Sequence, residues 1–77
     1  MKALERAKLI ADAMKAGFTR NNIKATVIVR RDGEKALIGV SMTQPVTSDI
    51  QQYVNDYFCD ITKLYPQSFG FYCEITA

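Results

Sequence analysis

Between Ser48 and Leu64 the apolar residues Ile50, Tyr53, Val54, Tyr57, Phe58, Ile61 and Leu64 recur at steps of three and one, the spacing of one helix face. This predicts a helix over 48–64. Ser48 with Gln51 fits a capping box, in which each side chain covers a backbone N–H at the helix start. Asp49 suits the positive end of the helix dipole and Lys63 the negative end. Pro66 follows, where it cannot continue a helix. The same period runs through residues 2–16. There Ala3, Leu4, Ala7, Ile10, Ala11 and Met14 form a stripe flanked by Leu9, and Lys2, Glu5, Arg6, Lys8, Asp12 and Lys15 surround it. Gly17 stands where a left-handed residue would end this helix. Residues 18–23 read as a connector, with Asn21 and Asn22 suited to a turn.

From 24 to 42 the period changes to two. Asp32-Gly33 is a two-residue turn signal whose twist matches that of paired strands. With these as the central residues, Arg31 pairs with Glu34, Arg30 with Lys35, Val29 with Ala36, Ile28 with Leu37 and Val27 with Ile38. One face then holds Ile23, Ala25, Val27, Val29, Ala36, Ile38, Val40 and Met42, all apolar. The other holds Lys24, Thr26, Ile28, Arg30, Lys35, Leu37, Gly39 and Ser41. A one-residue slip would mix the two sets. Residues 43–47 and 65–69 read as loops. Gly70 to Thr76 reads as a last strand, with Phe71, Cys73 and Ile75 inward and Tyr72, Glu74 and Thr76 outward.

The predicted order is α-β-β-α-β, a single α+β domain over residues 1–77. The strand-helix-strand crossover returns the third strand parallel to the second. Placed beside the first strand, it makes a three-stranded antiparallel sheet of order 2-1-3. Two helices then cover one face in a two-layer fold, and the back of the sheet stays open.

Composition narrows the classes. A chain of 77 residues with 48% hydrophobic and 23% charged content is an ordinary small globular domain. No apolar run reaches the roughly 18 residues of a membrane span, and the charged N-terminus lacks a signal peptide's apolar segment, so a cytoplasmic location is expected. Cys59 and Cys73, without CxxC spacing, are expected as reduced thiols. The net charge of +2 is unevenly placed. Residues 1–35 carry nine basic and four acidic groups, net +5; residues 36–77 carry one basic and four acidic groups, net −3. Such asymmetry fits a nucleic-acid surface, a basic face meeting an acidic one in an oligomer, or a mixed solvated surface.

Candidate chemistry is sparse. The chain has no histidine, which removes histidine triads, histidine metal sites and histidine acid–base catalysis. Two separated cysteines do not make a structural zinc site, and there is no glycine-rich phosphate loop. Asp56 and Asp60, at i and i+4 on the polar side of the second predicted helix, could serve a hard cation or an acid–base pair; a solvated helix face accounts for them as well. Cys59 lies off the apolar stripe, with nothing nearby to lower its pKa, and Cys73 reads as a small core residue. No catalytic, cofactor or metal residues emerge. The expectation is a non-enzymatic protein.

Two features point to binding. Ile28 and Leu37 are expected as a cross-strand apolar pair on the open face, close to Tyr72; such a cluster rimmed by polar groups suggests a contact surface. Arg30 opposite Lys35, with Arg31 adjacent, would make the hairpin tip cationic. Ile28, Arg30, Arg31, Lys35, Leu37 and Tyr72 are therefore the candidate partner-binding residues. The expected partner is a protein or a second copy of the chain. Nucleic acid at the basic half is the alternative, and no membrane contact is expected.

The run VIVRRDGEKALIGVSMTQPVTSDIQQYVNDYF, with the helix before it, resembles a small domain found in large polyvalent proteins of phages and conjugative elements. Ala7-Lys8-Leu9-Ile10-Ala11 compares with an AKxIR-like motif and Val27-Ile28-Val29-Arg30 with an FSVR-like strand. Ile38 to Thr47 compares with IxVxWTDGPT, and Ile50, Val54 and Phe58 with a helix of xxIxxxVxxF character. The similarity covers residues 3–60. This chain lacks the aromatic residue and the Asp-Gly of the second-strand motif. The resemblance implies a mobile-element origin and carries over no catalytic residue. The chain's small size is similar to that of phage-encoded inhibitors of host defence.

Overall fold

The computed structural model of the chain describes residues 3–65 and 70–76. Five elements follow in order: α1 (Ala3–Arg20), β1 (Ala25–Asp32), β2 (Lys35–Met42), α2 (Ser48–Thr62) and β3 (Tyr72–Thr76). The predicted positions at 66–69, including Pro66, lie outside the described residues.

Helix α1 buries Ala7, Ile10, Ala11 and Met14 of the predicted stripe and leaves Ala3 and Leu4 only partly buried, and it does not stop at Gly17. It continues to Arg20 and buries Phe18 as well. The cap is Asn22, with φ at 56°. Ile23 N–H reaches Phe18 C=O at 2.9 Å and Asn22 N–H reaches Thr19 C=O at 3.3 Å, a Schellman closure with Asn22 at the left-handed position. Gly17 has another task. A β-carbon there would overlap the Tyr57 ring, so its missing side chain lets α2 approach α1.

Helix α2 opens one residue earlier than the Ser48 cap predicts. Thr47 is the N-cap, and its side chain accepts from Ile50 N–H at 3.2 Å. The third helical residue is then Ile50, so the Ser48–Gln51 capping box does not form. The helix ends at Thr62, and Leu64, placed on the apolar stripe by spacing alone, is 74% exposed. The final amides turn tighter: Leu64 N–H bonds Ile61 C=O and Tyr65 N–H bonds Thr62 C=O, both at 3.0 Å.

The hairpin pairs Asp32 with Lys35, Arg30 with Leu37, Ile28 with Gly39 and Val27 with Val40. The expected partners, Ile28 with Leu37 and Arg30 with Lys35, are each displaced by two residues. The turn explains this. Its central residues are Gly33 and Glu34, and Gly33 has φ at 63°. A turn centred on Asp32-Gly33 would ask Asp32 to take a positive φ; the shifted turn puts that conformation on glycine alone. Since the shift is two residues, each side chain keeps its face.

Sheet order also differs from expectation. It is β1-β2-β3, with β2 central and β3 parallel to β2, so the sheet is mixed and not antiparallel in order 2-1-3. Strand β2 buries Ala36, Ile38, Val40 and Met42 on one side and half-buries Leu37 and Gly39 on the other. It can therefore take a neighbour on each edge. Strand β1 exposes Thr26, Ile28 and Arg30 and suits a rim. The β2–α2–β3 crossover delivers β3 directly to the strand it left, in the same direction.

One core joins the layers. Ile10, Met14 and Phe18 of α1, Val27 of β1, Ile38 and Val40 of β2, Val54, Phe58 and Ile61 of α2, and Phe71 before β3 are all buried in it. Cys73 and Ile75 pack at its margin, as the alternation of β3 predicts. The side chains at 26, 28, 30, 35, 37, 39, 41, 72, 74 and 76 fall on the other face.

Candidate functional site

The parallel β2–β3 pairing and the hairpin register place the open-face residues in rows across the sheet. Arg30, Leu37 and Tyr72 form one row; Ile28, Gly39 and Glu74 form the next; Thr26, Ser41 and Thr76 form a third. Gly39 is the centre of this array. Because it lacks a side chain, the sheet has a shallow trough of about 260 Å³ there, lined by Ile28, Arg30, Leu37, Gly39, Ser41, Glu74 and Thr76. Ile28 leans over it, and a β-carbon on Gly39 would stand only 2.9 Å from Ile28 Cγ1.

Ile28 and Tyr72 are 46% and 44% exposed, and Leu37 is half-buried between its neighbours. Tyr72 runs across β2 to donate its hydroxyl to Asp32 Oδ2 at 3.4 Å. The walls of the trough differ in sign, Arg30 on the β1 side and Glu74 on the β3 side. Lys35 lies at the hairpin end, with its aliphatic stem against Gly70.

Five of the six residues predicted from sequence therefore share this face: Ile28, Arg30, Lys35, Leu37 and Tyr72. Arg31 does not join them. It leaves β1 on the helix side, exposed, and its Nε donates to Gly33 C=O at 3.1 Å. Arg30 faces Leu37 and not Lys35, so the like-charge pair does not form. Glu74, Ser41 and Thr76 also line the trough; the sequence reading put them on the open side of their strands but not among the candidate binding residues. Strand alternation puts them on the open face, but only the β2–β3 pairing brings them together.

The remaining candidates are plain. Asp60 lies 3.7 Å from Lys63, both well exposed, and Asp56 is an exposed residue of the same helix. Among the described residues no three Cys, Asp or Glu side chains gather as a metal site. Cys59 and Cys73 are both free thiols, the first exposed and the second half-buried. Burial, with a smaller contribution from the Cys59 charge, pushes the Cys73 thiol up to about 11. Among the described residues no helix is long and apolar enough to cross a membrane.

A second cluster, at the junction of α1 and α2, was missed. Phe18, Tyr53 and Tyr57 pack together at tilted and edge-on angles, with ring centroids 5.8–6.5 Å apart. Tyr57 donates to Ala13 C=O at 3.1 Å, and Asn21 Nδ2 donates to Tyr53 Oη at 2.9 Å and to Gly17 C=O at 2.8 Å. These bonds satisfy the polar ends of half-buried rings and lock the helices together. The cluster is structural.

Comparison of the chain with protein-family models, with curated proteins and with solved structures returns no match.

Proposed function

We propose that this chain is a small non-enzymatic binding protein that acts through protein–protein contacts on the open face of its sheet. One observation carries the reading: Ile28 and Leu37 line a trough, with exposed Tyr72 on the same face, which neither helix covers, and with charges of both signs at the trough's rim. Apolar surface grouped in this way gains free energy when a partner removes it from water. The mixed rim supplies orientation. Nucleic acid fits this face less well, because Asp32 and Glu74 stand beside Arg30 and Lys35 and break the cationic surface that phosphates require. The mobile-element setting, with inhibition of a host defence protein as the role, rests on the sequence resemblance.

The test is affinity capture from bacterial lysate with the wild-type chain and with Leu37→Glu, each with and without nuclease. A protein retained by the wild type, insensitive to nuclease and lost with a folded Leu37→Glu variant, is the expected result. Retention that vanishes with nuclease moves the nucleic-acid reading to first place. Equal retention by both chains means the trough is idle.

A further inference from the structure

The open face is not the only unpaired surface. Strand β1 is an edge of the sheet over eight residues, Ala25–Asp32. The backbone groups on its free side can be identified. The two-residue turn closes on Asp32 and Lys35, and Thr43 N–H bonds Lys24 C=O at 3.0 Å, so the even-numbered residues of this stretch turn their backbone toward β2. The odd-numbered residues, Ala25, Val27, Val29 and Arg31, turn theirs outward. This is a ready template for another strand.

We infer that this edge pairs with the same edge of a second copy, β1 against β1 in antiparallel register about a two-fold axis through Ile28. Charge selects both the occupant and the register. Centred on Ile28, the pairing sets Lys24 opposite Asp32 of the second copy, twice by symmetry. It sets Thr26 opposite Arg30, Val27 opposite Val29, and Ile28 opposite itself. The outward backbone groups of 25, 27, 29 and 31 then meet one another, as an antiparallel ladder requires. Neighbouring registers are worse. A pairing centred on Val27 places Lys24 opposite Arg30, like against like. One centred on Val29 places Arg30 opposite Ile28 and Asp32 opposite Thr26. One centred on Arg30 places two arginines on the axis. Opposite charges across strands attract and like charges repel, so among these registers the stretch 24–32 complements itself best when centred on Ile28.

The surroundings agree. Ile28 is 46% exposed and Val29, although it packs on the core, is only half-buried, as expected where an edge lies open. Lys24 and Asp32 are both exposed. Pairing makes one six-stranded sheet, with the helices of both copies on one side and both troughs on the other. It needs no third protein and stands apart from the binding reading above.

Three charge variants, with Leu37→Glu as a control on the sheet face, test it, with mass followed by sedimentation equilibrium over a concentration series and fold by circular dichroism. Wild type should be a dimer in equilibrium with monomer. Lys24→Asp and Asp32→Lys should each weaken the dimer by about tenfold or more, since each turns two attractions into two repulsions. Combining both changes in one chain should restore it, because the two charges then exchange places and attract again across the axis. A wild type that stays monomeric at every attainable concentration overturns the inference. So does a double variant as weak as the singles, or a dimer that ignores all three changes and dissolves with Leu37→Glu, which would place the contact on the sheet face.

Discussion

The two faces of the sheet obey different rules. On the covered face what matters is which residues are present. Val27, Val29, Ala36, Ile38, Val40 and Met42 reach the core in either hairpin register, because a shift of two residues returns every side chain to its own side. On the open face what matters is who stands beside whom. The same shift removes the direct pairing of Ile28 with Leu37, sets Ile28 over Gly39, takes Arg30 out of register with Lys35 and opens a trough where a closed apolar pair was expected. Burial is nearly indifferent to neighbours of similar size, whereas a recognition surface is made of neighbours.

The largest loss is expected where the covered side is emptied. Phe58→Ala removes a ring 7% exposed, and the expected loss is about 3–5 kcal/mol. A denaturation midpoint unchanged by this substitution would deny α2 its place in the core. Next comes the seam between the helices. Gly17→Ala drives a methyl into the Tyr57 ring and disturbs its bond to Ala13, for about 1–3 kcal/mol by overpacking, although alanine is the better helix former. If Gly17→Ala instead stabilises the protein in urea, helix propensity outweighs the close approach.

A smaller effect separates the two thiols. Half-burial keeps Cys73 neutral up to about 11, against 9.0 for a free thiol. Because its folded pKa is the higher one, its contribution to stability is complete below pH 9.0 and fades as pH rises through about 11. Stability curves of wild type and Cys73→Ala should therefore converge in that alkaline window. At neutral pH, mass spectrometry after brief alkylation should find Cys59 modified before Cys73; the reverse order would mean that β3 is not seated on the core. The smallest effect belongs to the open face. Leu37→Glu should shift stability by no more than about 1 kcal/mol, since the half-buried side chain lies on the open face, where a glutamate can reach water and Arg30. An unfolded variant would show that Leu37 belongs to the core.

By itself the sequence determined the number, type and order of the elements, most of the apolar stripe of each helix and the face of nearly every strand residue; it missed Phe18, added Leu64 and grouped Arg31 with the open face. These follow from periods of 3.6 and 2, which are local and repeat often enough to be read without a partner. It also brought five of the six candidate residues to one face. What only the tertiary structure decided was adjacency. Asp32-Gly33 announced a turn, but the positive φ belonged to Gly33 as first central residue, and that moved the register. Gly17 looked like a helix end until Tyr57 from α2 occupied the space beside it, and Asn22 closed the helix instead. The place of β3 depended on which strand could be covered on both edges. That is a property of the assembled layers, and it put Glu74 on the β3 wall of the trough, level with Gly39 and Ile28 and one row from Arg30. Periodicity tells a side chain which way to face; only contacts between residues distant in the chain tell it what it will meet there.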